Sequence, residues 1–382
     1  MEIYLDNSAT TRPTGSVIRA LTRALESDYY NPSSLYAPAL GVEKQLDACR
    51  DRIRAELHLS DAAVIFTSGG TEANNLALTG TLGVSRAPLR VAVSAGEHPS
   101  VYDAALSLMQ GGACECAVLP LNAGGTVDID AVRSELKKGL TLLSVMQVNN
   151  ETGAKNDIAE ISRLAREICP ACRLHVDGVQ GFMREDFDLR LADMYTLSGH
   201  KIHAPKGVGA LVVRRGLRLK SAHVGGGQEN ALRSGTENTP GILALSQAID
   251  DMRALPLRRE HMLKLKLLLA RELAARIPEA TVNGPAPEDG ACNILNVSLP
   301  PVRGETILHA LEAQGVLVST GSACSAKKQK LSRVLTSMGV PARRAECALR
   351  FSLSPYNTEE EILRAAQIIQ EQYAVLSKFQ RR

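Results

Sequence analysis

Two short segments decide the predicted fold: residues 173–180, RLHVDGVQ, and residues 194–201, MYTLSGHK. Each begins with an apolar run of the length and composition typical of a buried β-strand. Asp177 directly follows the first run, and Lys201 lies a few residues beyond the second. Both side chains should therefore emerge at the same edge of one sheet. Open α/β folds bind their ligands at that edge.

A carboxylate and a lysine at such an edge suit pyridoxal phosphate as a cofactor. Its aldehyde forms a Schiff base with an amine, and its ring nitrogen needs an anionic partner to stay protonated. Ser198, Gly199 and His200 surround the lysine with small and polar groups, and Gln180 follows the aspartate by three residues. Taken singly, a lysine after a strand is more often a solvated charge, and an aspartate there is more often a cap or turn residue. The prediction therefore depends on the other segments described below.

Strand-like and helix-like patterns alternate through most of the chain, which predicts an α/β fold with a mostly parallel sheet covered by helices on both faces. The pattern changes near residue 255, where a basic amphipathic helix over residues 257–276 precedes shorter strands and a final helix from Thr358. We expect a large cofactor-binding domain over residues 15–255 and a small α+β domain formed by residues 1–14 and 256–382. The predicted helices are 16–26, 43–57, 72–82, 101–110, 157–168 and 241–254, and the predicted strands are 64–67, 90–94, 117–121, 142–148, 173–176, 194–197 and 209–214.

The composition is that of a globular protein and excludes several functional classes. The 382 residues are 45% hydrophobic and 22% charged, with a formal net charge of +3. That charge is too small to favour nucleic acid or a membrane surface as a partner. No apolar run is long enough for a membrane span, and the first residues lack the pattern of a signal peptide. We expect a cytoplasmic protein whose eight cysteines are mostly free thiols.

Residues 67–75, TSGGTEANN, are typical of an anion site at the start of a helix. Gly69 and Gly70 allow a ligand to approach the backbone, and Thr71 adds a hydroxyl donor beside the positive end of the helix dipole. A helix cap without a ligand is the alternative, because Ser or Thr before Glu is also a common helix start.

Two polar clusters follow other predicted strands: residues 95–98, AGEH, and residues 147–153, QVNNETG. The imidazole of His98 can stack on a pyridine ring and move protons near neutral pH. Asn149 can donate a hydrogen bond to the cofactor or to a substrate carboxylate. A loop histidine and a turn asparagine are the respective alternatives.

Cys324 lies in a run of small residues, STGSACSA over 319–326, followed by the lysine-rich KKQK over 327–330. A cysteine in such surroundings favours an exposed nucleophile over a core residue. Nearby lysines stabilise a thiolate and raise its reactivity, although they are equally consistent with solvated surface charges.

These segments together resemble the cysteine desulfurases of the NifS/IscS type, in the class V aminotransferase group of fold-type I pyridoxal phosphate enzymes. The similarity covers nearly the whole chain. It implies a large domain with a mostly parallel seven-stranded sheet and a smaller α+β domain. The matching segments are residues 4–11, 31–34, 69–71, 97–100, 149–153, 198–209, 233–238, 322–324 and 350–352.

The resemblance implies a role for each matching side chain. Lys201 binds the cofactor aldehyde and moves the substrate α-proton, Asp177 pairs with the pyridinium nitrogen, and His98 stacks on the ring and shuttles protons. Arg350 holds the substrate carboxylate, a planar task suited to guanidinium. Cys324 accepts the sulfur. The remaining expected contacts are Gln180 and Asn149 at the phenolate, Asn149 also at the substrate, and Gly70, Thr71, Ser198, His200 and Thr236 of a second subunit at the phosphate.

The implied function is removal of sulfur from L-cysteine, giving L-alanine and a persulfide on Cys324. The persulfide would pass to an acceptor protein, either an iron–sulfur scaffold or a tRNA or cofactor thiolation enzyme. No resident metal is expected, although Cys324 could ligate an iron–sulfur cluster in transit, and a homodimer is expected. The alternatives are another class V enzyme, such as a selenocysteine lyase or an aminotransferase, and a non-catalytic sulfur-carrier adaptor.

Some features depart from the family pattern or lie outside it. Family members often have alanine after the pyridinium aspartate and a Gly-Lys pair soon after the glutamine, whereas this chain has Gly178 and residues 181–184, GFMR. Cys169 and Cys172 have the spacing of a redox dithiol or half a zinc site, and Cys114-Glu115-Cys116 offers another half. Both pairs precede predicted strands, and four ordinary thiols remain the alternative.

Overall fold

The structure is a computed structural model, and it describes residues 2–86, 88–221, 223–320 and 331–379. Its strands in chain order are β1 (Ile3–Tyr4), β2 (Ala63–Thr67), β3 (Arg90–Ser94), β4 (Glu115–Leu119), β5 (Leu142–Met146), β6 (Arg173–Asp177), β7 (Met194–Ser198), β8 (Gly209–Val213), β9 (Thr281–Val282), β10 (Ile294–Ser298), β11 (Val316–Leu317) and β12 (Ala348–Ser352). Its α-helices are α1 (Gly15–Ser27), α2 (Ala37–Glu56), α3 (Gly70–Leu82), α4 (Pro99–Gln110), α5 (Ile129–Lys137), α6 (Ile158–Ile168), α7 (Thr239–Arg253), α8 (Arg258–Arg276), α9 (Gly304–Glu312), α10 (Arg333–Ser337), α11 (Ala342–Ala345) and α12 (Glu359–Leu376).

Seven strands form the large sheet, in the order β2-β8-β7-β6-β5-β3-β4. All run parallel except β8, which is antiparallel to both of its neighbours. The predicted mostly parallel seven-stranded sheet is therefore confirmed. The parallel strands end together at one edge, where Ser94, Met146, Asp177 and Ser198 are the last residues of their strands.

The two faces of this sheet pack against different helices, as the two-residue period of a strand requires. Val64 and Phe66 of β2 belong to the core that includes residues of α1, α2, α6 and α7. Ile65, between them, belongs to the core formed with α3 and α4. Both faces are thus buried, which explains why these strands read as continuous apolar runs.

A second core lies around an antiparallel sheet of order β12-β10-β9. Ile3 and Leu5 from the start of the chain pack in the same cluster as Leu265 of α8 and Phe351 of β12. Strand β1 pairs with β11, which ties the first residues to the C-terminal third. The division into domains at residues 15 and 255 stays a prediction.

Several predicted boundaries differ from the structure, among them those of α2 and β4. Helix α2 begins at Ala37, six residues before the predicted start, because Pro38 lies in its first turn, where no backbone N–H is needed. Strand β4 begins at Glu115 and ends at Leu119, before Pro120, which cannot donate to a ladder. Cys116 therefore lies inside β4, paired with Val91, and does not precede the strand as we expected.

In the part of the chain that the structure describes, no helix is both long and apolar enough to cross a membrane.

Candidate active site

A cavity of about 360 Å³ opens at the edge where the parallel strands end. Nine of the residues singled out in the sequence line it: Gly70, Thr71, His98, Asp177, Gln180, Ser198, His200, Lys201 and Arg350. They come from positions up to 280 residues apart, so the fold brings together what the separate motifs suggested. Their roles stay predictions, and the contacts of each side chain indicate what it can do.

Lys201 ends a short 3-10 turn that follows β7. Its ammonium donates hydrogen bonds to the main-chain oxygens of Ser8 at 2.5 Å and Ala9 at 2.8 Å. Burial lowers the pKa of Lys201 to about 8, and the nearby charges of Arg350 and Arg184 add to the shift. A lysine whose pKa is lowered toward neutral pH has a larger fraction of its molecules in the free-amine form. The free amine is the form that attacks a carbonyl or accepts a proton.

Asp177 is the last residue of β6 and is 3% exposed. Its Oδ1 accepts the main-chain N–H of Val179 at 3.0 Å, and its Oδ2 accepts from the side-chain amide of Asn74 at 2.8 Å. These donors hold a carboxylate in a fixed orientation at the base of the cavity. Such a carboxylate can pair with a protonated ring nitrogen.

His98 immediately precedes α4 and caps that helix, with Pro99 at its first position. The ring lines the cavity, and its Nδ1 contacts Ser100. Burial lowers the pKa of His98, so the neutral ring is favoured. A neutral imidazole can lie against an aromatic cofactor without the desolvation cost of a buried charge.

The start of α3 is a site for an anion. Gly70 and Thr71 line the cavity, and no side chain caps this helix, so its first N–H groups lack intrahelical partners. A Cβ on Gly70 would lie 2.8 Å from Val179 Cγ2, and Gly69 has φ of +152°, a value that favours glycine. A side chain at Gly70 would therefore fill the space in which an anion could bind at the start of α3.

Ser198 and His200 line the cavity beside this helix start. The Nδ1 of His200 lies 3.1 Å from Thr10 Oγ1. Burial, together with the charge of Lys201, lowers the pKa of His200 to about 4, so this ring serves as a neutral hydrogen-bonding group.

Gln180 is held from two sides. Its Nε2 donates to the main-chain oxygen of Ser8 at 3.0 Å, and its Oε1 lies 3.4 Å from Nη1 of Arg184. Arg184 also donates to the main-chain oxygen of Lys201. The arginine at which this chain departs from the family pattern thus supports both the glutamine and the lysine.

Arg350 is on β12 and is 2% exposed. It donates to the main-chain oxygen of Asn150 at 3.0 Å and forms an ion pair with Asp6 at 2.6 Å. These contacts hold the guanidinium at the cavity wall, and a guanidinium can form paired hydrogen bonds with a carboxylate.

Asn149 does not line the cavity. Its Oδ1 accepts from the main-chain N–H groups of Glu151 and Thr152, both at 2.9 Å, and its Nδ2 donates to Gly96 at 3.0 Å. The side chain organises the turn after β5, which was the alternative interpretation of this asparagine, and Asn150 and Glu151 line the cavity beside it.

Of the two remaining predicted residues, only Thr236 is within the described part of the chain. Thr236 is exposed and does not line the cavity of its own chain. It follows Arg233, which pairs with Glu72 of α3 at 2.8 Å. Cys324 falls in residues 321–330, outside the described residues.

Sequence reasoning gave no role to six polar side chains in the lining: Ser8, Asn74, Ser100, Asn150, Glu151 and Arg333. Asn74 and Ser100 stood inside quoted segments, but nothing in their spacing indicates an inward direction. Arg333 donates to the main-chain oxygens of Ala95 and, at 2.5 Å, Glu97, and it packs on the ring of Tyr102. No local signal in the sequence distinguishes it from a surface arginine.

The cysteine pairs show no metal-binding arrangement. Cys114, Cys116, Cys169 and Cys172 are free thiols, and burial raises the pKa of Cys116 to about 11. Among the described residues, no group of three or more histidine, cysteine or acidic side chains is placed to hold a metal ion.

The cavity fits pyridoxal phosphate. The uncapped helix start matches a phosphate, the buried Asp177 matches a ring nitrogen, and Lys201 matches an aldehyde. The Oδ1 of Asn74 is buried without a partner among the described residues, which leaves an acceptor beside the aspartate. The donor set and the small glycine cradle therefore suit this cofactor.

The comparisons with known proteins now decide the family. The family model for class-V aminotransferases matches residues 3–364. The chain belongs to the class-V aminotransferase family. A cysteine desulfurase of Nostoc sp. is 35% identical over 372 residues, covering 97% of this chain and 92% of that protein. The cysteine desulfurase IscS of Dictyoglomus turgidum is 36% identical, covering 94% of this chain and 92% of its own length.

Solved structures are also similar to this chain. A NifS-like protein superposes with a TM-score of 0.89 at 31% identity, over 98% of this chain and all of the other. The protein SspA, solved in complex with cysteine, gives 0.77 at 26% identity, over 94% of this chain and all of the other. The resemblance to cysteine desulfurases of the NifS/IscS type and the fold-type I prediction are confirmed. Pyridoxal phosphate is the cofactor of this family.

Proposed function

We propose that this protein is a cysteine desulfurase, which converts L-cysteine into L-alanine and leaves the sulfur as a persulfide on Cys324. The observation that carries the proposal is the convergence of Lys201, Asp177, His98 and Arg350 on one cavity. These groups supply an amine, a carboxylate, an imidazole and a guanidinium, which together fit an amino acid and an aromatic cofactor.

Asp177 would hold the pyridine nitrogen, the α3 start with Ser198 and His200 would hold the phosphate, and Lys201 would hold the aldehyde. Gln180, held by Ser8 and Arg184, would face the phenolate oxygen of the cofactor. When bound, pyridoxal phosphate supplies an electron sink beside the α-carbon of an attached amino acid.

Lys201 would move the α-proton of the substrate. Its pKa of about 8 gives the free amine at mildly alkaline pH, and burial keeps it away from competing water. The main-chain oxygens of Ser8 and Ala9 accept hydrogen bonds from the Lys201 ammonium. These bonds hold the Lys201 side chain in one orientation when its amine is protonated.

Arg350 would bind the substrate carboxylate and thereby orient the β-carbon and its sulfur. Asn150 and Asp6 hold the guanidinium in place, so little of its conformational freedom is lost on binding. Fixed orientation of the reacting groups is itself a large share of catalysis.

The thiolate of Cys324 would attack the sulfur atom of the substrate. Its attack forms a sulfur–sulfur bond and breaks the carbon–sulfur bond of the substrate, while the thiol and α-protons return to carbon to give alanine. The sulfur is thus transferred without any external oxidant. An acceptor protein, such as an iron–sulfur scaffold or a thiolation enzyme, would then remove it.

A homodimer in the cytoplasm is part of the proposal. Thr236 is exposed on its own subunit and would complete the phosphate site of a second one.

The variant Cys324→Ala tests the nucleophile. We expect it to bind pyridoxal phosphate and L-cysteine, because the cavity residues are intact, and to form neither alanine nor protein persulfide. Product alanine, protein-bound persulfide and the cofactor absorbance would be measured in parallel. Wild-type alanine release by this variant would contradict the proposal and favour a selenocysteine lyase or an aminotransferase.

A further inference from the structure

The ring of His98 is fixed through one nitrogen. The main-chain N–H of Ser100 points at Nδ1 over 3.2 Å, and the Ser100 hydroxyl lies 2.8 Å from the same atom. A main-chain N–H can only donate, so Nδ1 must be an acceptor. The neutral ring therefore carries its proton on Nε2, which has no hydrogen-bond partner in the described part of the chain.

The direction of the Ser100 hydroxyl is set by Asn74. The amide nitrogen of Asn74 lies 2.8 Å from Ser100 Oγ and 2.8 Å from Asp177 Oδ2. The reversed amide would place its oxygen against the carboxylate, so the nitrogen must occupy this position. Since the amide donates to Oγ, the hydroxyl proton is left for Nδ1 of His98.

The result is a directed chain of hydrogen bonds from Asp177 through Asn74 and Ser100 to His98. Asn74 is 1% exposed and Ser100 is 8% exposed, so water competes little with these bonds. In buried surroundings each such bond is strengthened by the low dielectric. The two groups expected to contact the cofactor ring are thereby joined by two residues that no motif assigned.

We propose that Asn74 and Ser100 are positioning residues that hold His98 as the neutral Nε2–H tautomer, which makes the ring a hydrogen-bond donor toward the cavity. The ring can accept a proton only at Nδ1, where both Ser100 bonds would be lost. This inference rests on the proposed function for its place in a reaction, but the tautomer itself is a property of the folded site.

The charges around the ring are consistent with a neutral form. Burial is the largest cause that lowers the pKa of His98; Lys201 and Arg333 lower it further, while Asp177 and Asp103 raise it. Hydrogen bonds donated to Nδ1 stabilise the neutral ring and add to the lowering.

A simple helix cap is the competing explanation, because His98 precedes α4. A cap requires only the main-chain N–H of Ser100. It gives no role to the Ser100 hydroxyl or to Asn74, so variants of these side chains separate the two explanations.

The test is nitrogen NMR on holoenzyme labelled with ¹⁵N-histidine, with the His98 signals assigned by loss in His98→Gln. We expect the wild type to show a neutral ring protonated on Nε2. Ser100→Ala should raise the pKa of His98 by about 0.5–1 unit, because one hydrogen bond to the neutral ring is lost. Ser100→Thr keeps the hydroxyl and should restore the wild-type value, and Asn74→Leu should shift it in the same direction as Ser100→Ala.

Ser144→Ala is the matched control, since Ser144 Oγ lies 2.8 Å from Nδ1 of the buried His175, outside the cavity lining. It should change the His175 signals and leave His98 unaltered. A wild-type His98 protonated on Nδ1, or a Ser100→Ala shift no larger than that of Ser144→Ala, would overturn the inference. The wild-type spectrum decides the tautomer even if a variant misfolds. Because no turnover is measured, failure of the desulfurase proposal would leave this result standing.

Discussion

Lys201 and Lys266 are both buried lysines, yet only one lies where chemistry can occur. Lys266, on α8, is fully buried and donates to the main-chain oxygen of Ala291 at 2.6 Å. Burial lowers its pKa to about 8, the same value as for Lys201. Lys201, however, lines a cavity with Asp177 and His98, whereas Lys266 does not line it. A perturbed pKa marks burial, and only access and neighbouring groups make it a reactive site.

The largest expected effect is a difference in the rate of alanine formation between variants of these two lysines. Lys201→Ala should reduce alanine formation from L-cysteine by roughly a thousandfold or more, because it removes both the covalent attachment and the proton carrier. Lys266→Met should stay within about twofold of the wild type, because no group leaves the cavity. Initial rates of alanine formation measure both.

Reduction of the loaded enzyme with borohydride, followed by peptide mass mapping, is the control for this pair. The reduced cofactor should be found on Lys201 in the wild type and in Lys266→Met. Attachment at Lys266, or at any other lysine, would refute the assignment of Lys201.

Two arginines that contact main-chain oxygens also differ in whether they line the cavity. Arg350→Lys should raise the KM for L-cysteine by about 10- to 100-fold, because an ammonium cannot replace paired charge-assisted hydrogen bonds worth roughly 1.5–3 kcal/mol. Arg344 on α11 donates to Asn283 at 2.7 Å and to Val282 at 2.5 Å, outside the cavity. Arg344→Lys should leave the KM unchanged. Equal effects on KM in steady-state kinetics would remove the case for Arg350 as the carboxylate site.

The smallest expected effect is on stability and comes from Lys266. Its pKa in the folded protein, about 8, is below the ordinary lysine value of 10.5. Between these values the unfolded chain binds more protons than the folded one, so the free energy of unfolding rises with pH. Below pH 8 both states are protonated and the destabilisation is fully present. Lys266→Met removes this dependence.

Urea unfolding at pH 8 and at pH 9.5 measures this effect. The wild type should gain about 1–2 kcal/mol relative to Lys266→Met over that interval. Measuring the difference between the two proteins cancels the titration of Lys201 and of other groups that they share. Parallel pH dependence in the two proteins would show that Lys266 is not perturbed.

Much of the fold could be predicted because its signals are local. The seven large-sheet strands were expected from short apolar runs, and all seven were located within two residues of their observed ends. The start of α2 was missed because Pro38 and Gly41 usually interrupt helices, while the first turn tolerates proline. Strand β5 was expected to reach Val148 but ends at Met146, after which the chain turns through Asn149.

Some residues of the candidate site could also be predicted from the sequence, and others could not. Asp177, Lys201 and the start of α3 lie at or just beyond the ends of strands, so their common edge followed from strand direction alone. Asn149 also comes soon after a strand, but its oxygen accepts from the turn after β5 and its nitrogen donates to Gly96 after β3. A polar residue after a strand can serve a ligand or the backbone, and only its hydrogen bonds decide which.

The sequence by itself determined the alternation of strands and helices, the edge at which the polar segments meet, and the chemical groups available there. Periodicity and turn residues carry this information within a few neighbouring positions. The tertiary structure alone decided that Asn74 and Ser100 link Asp177 to His98, that Arg333 reaches the cavity, and that Lys266 is sealed away from it. Those contacts join residues that are 25 to more than 200 positions apart. Hydrogen bonds and burial at such separations depend on distances and angles that no local pattern encodes.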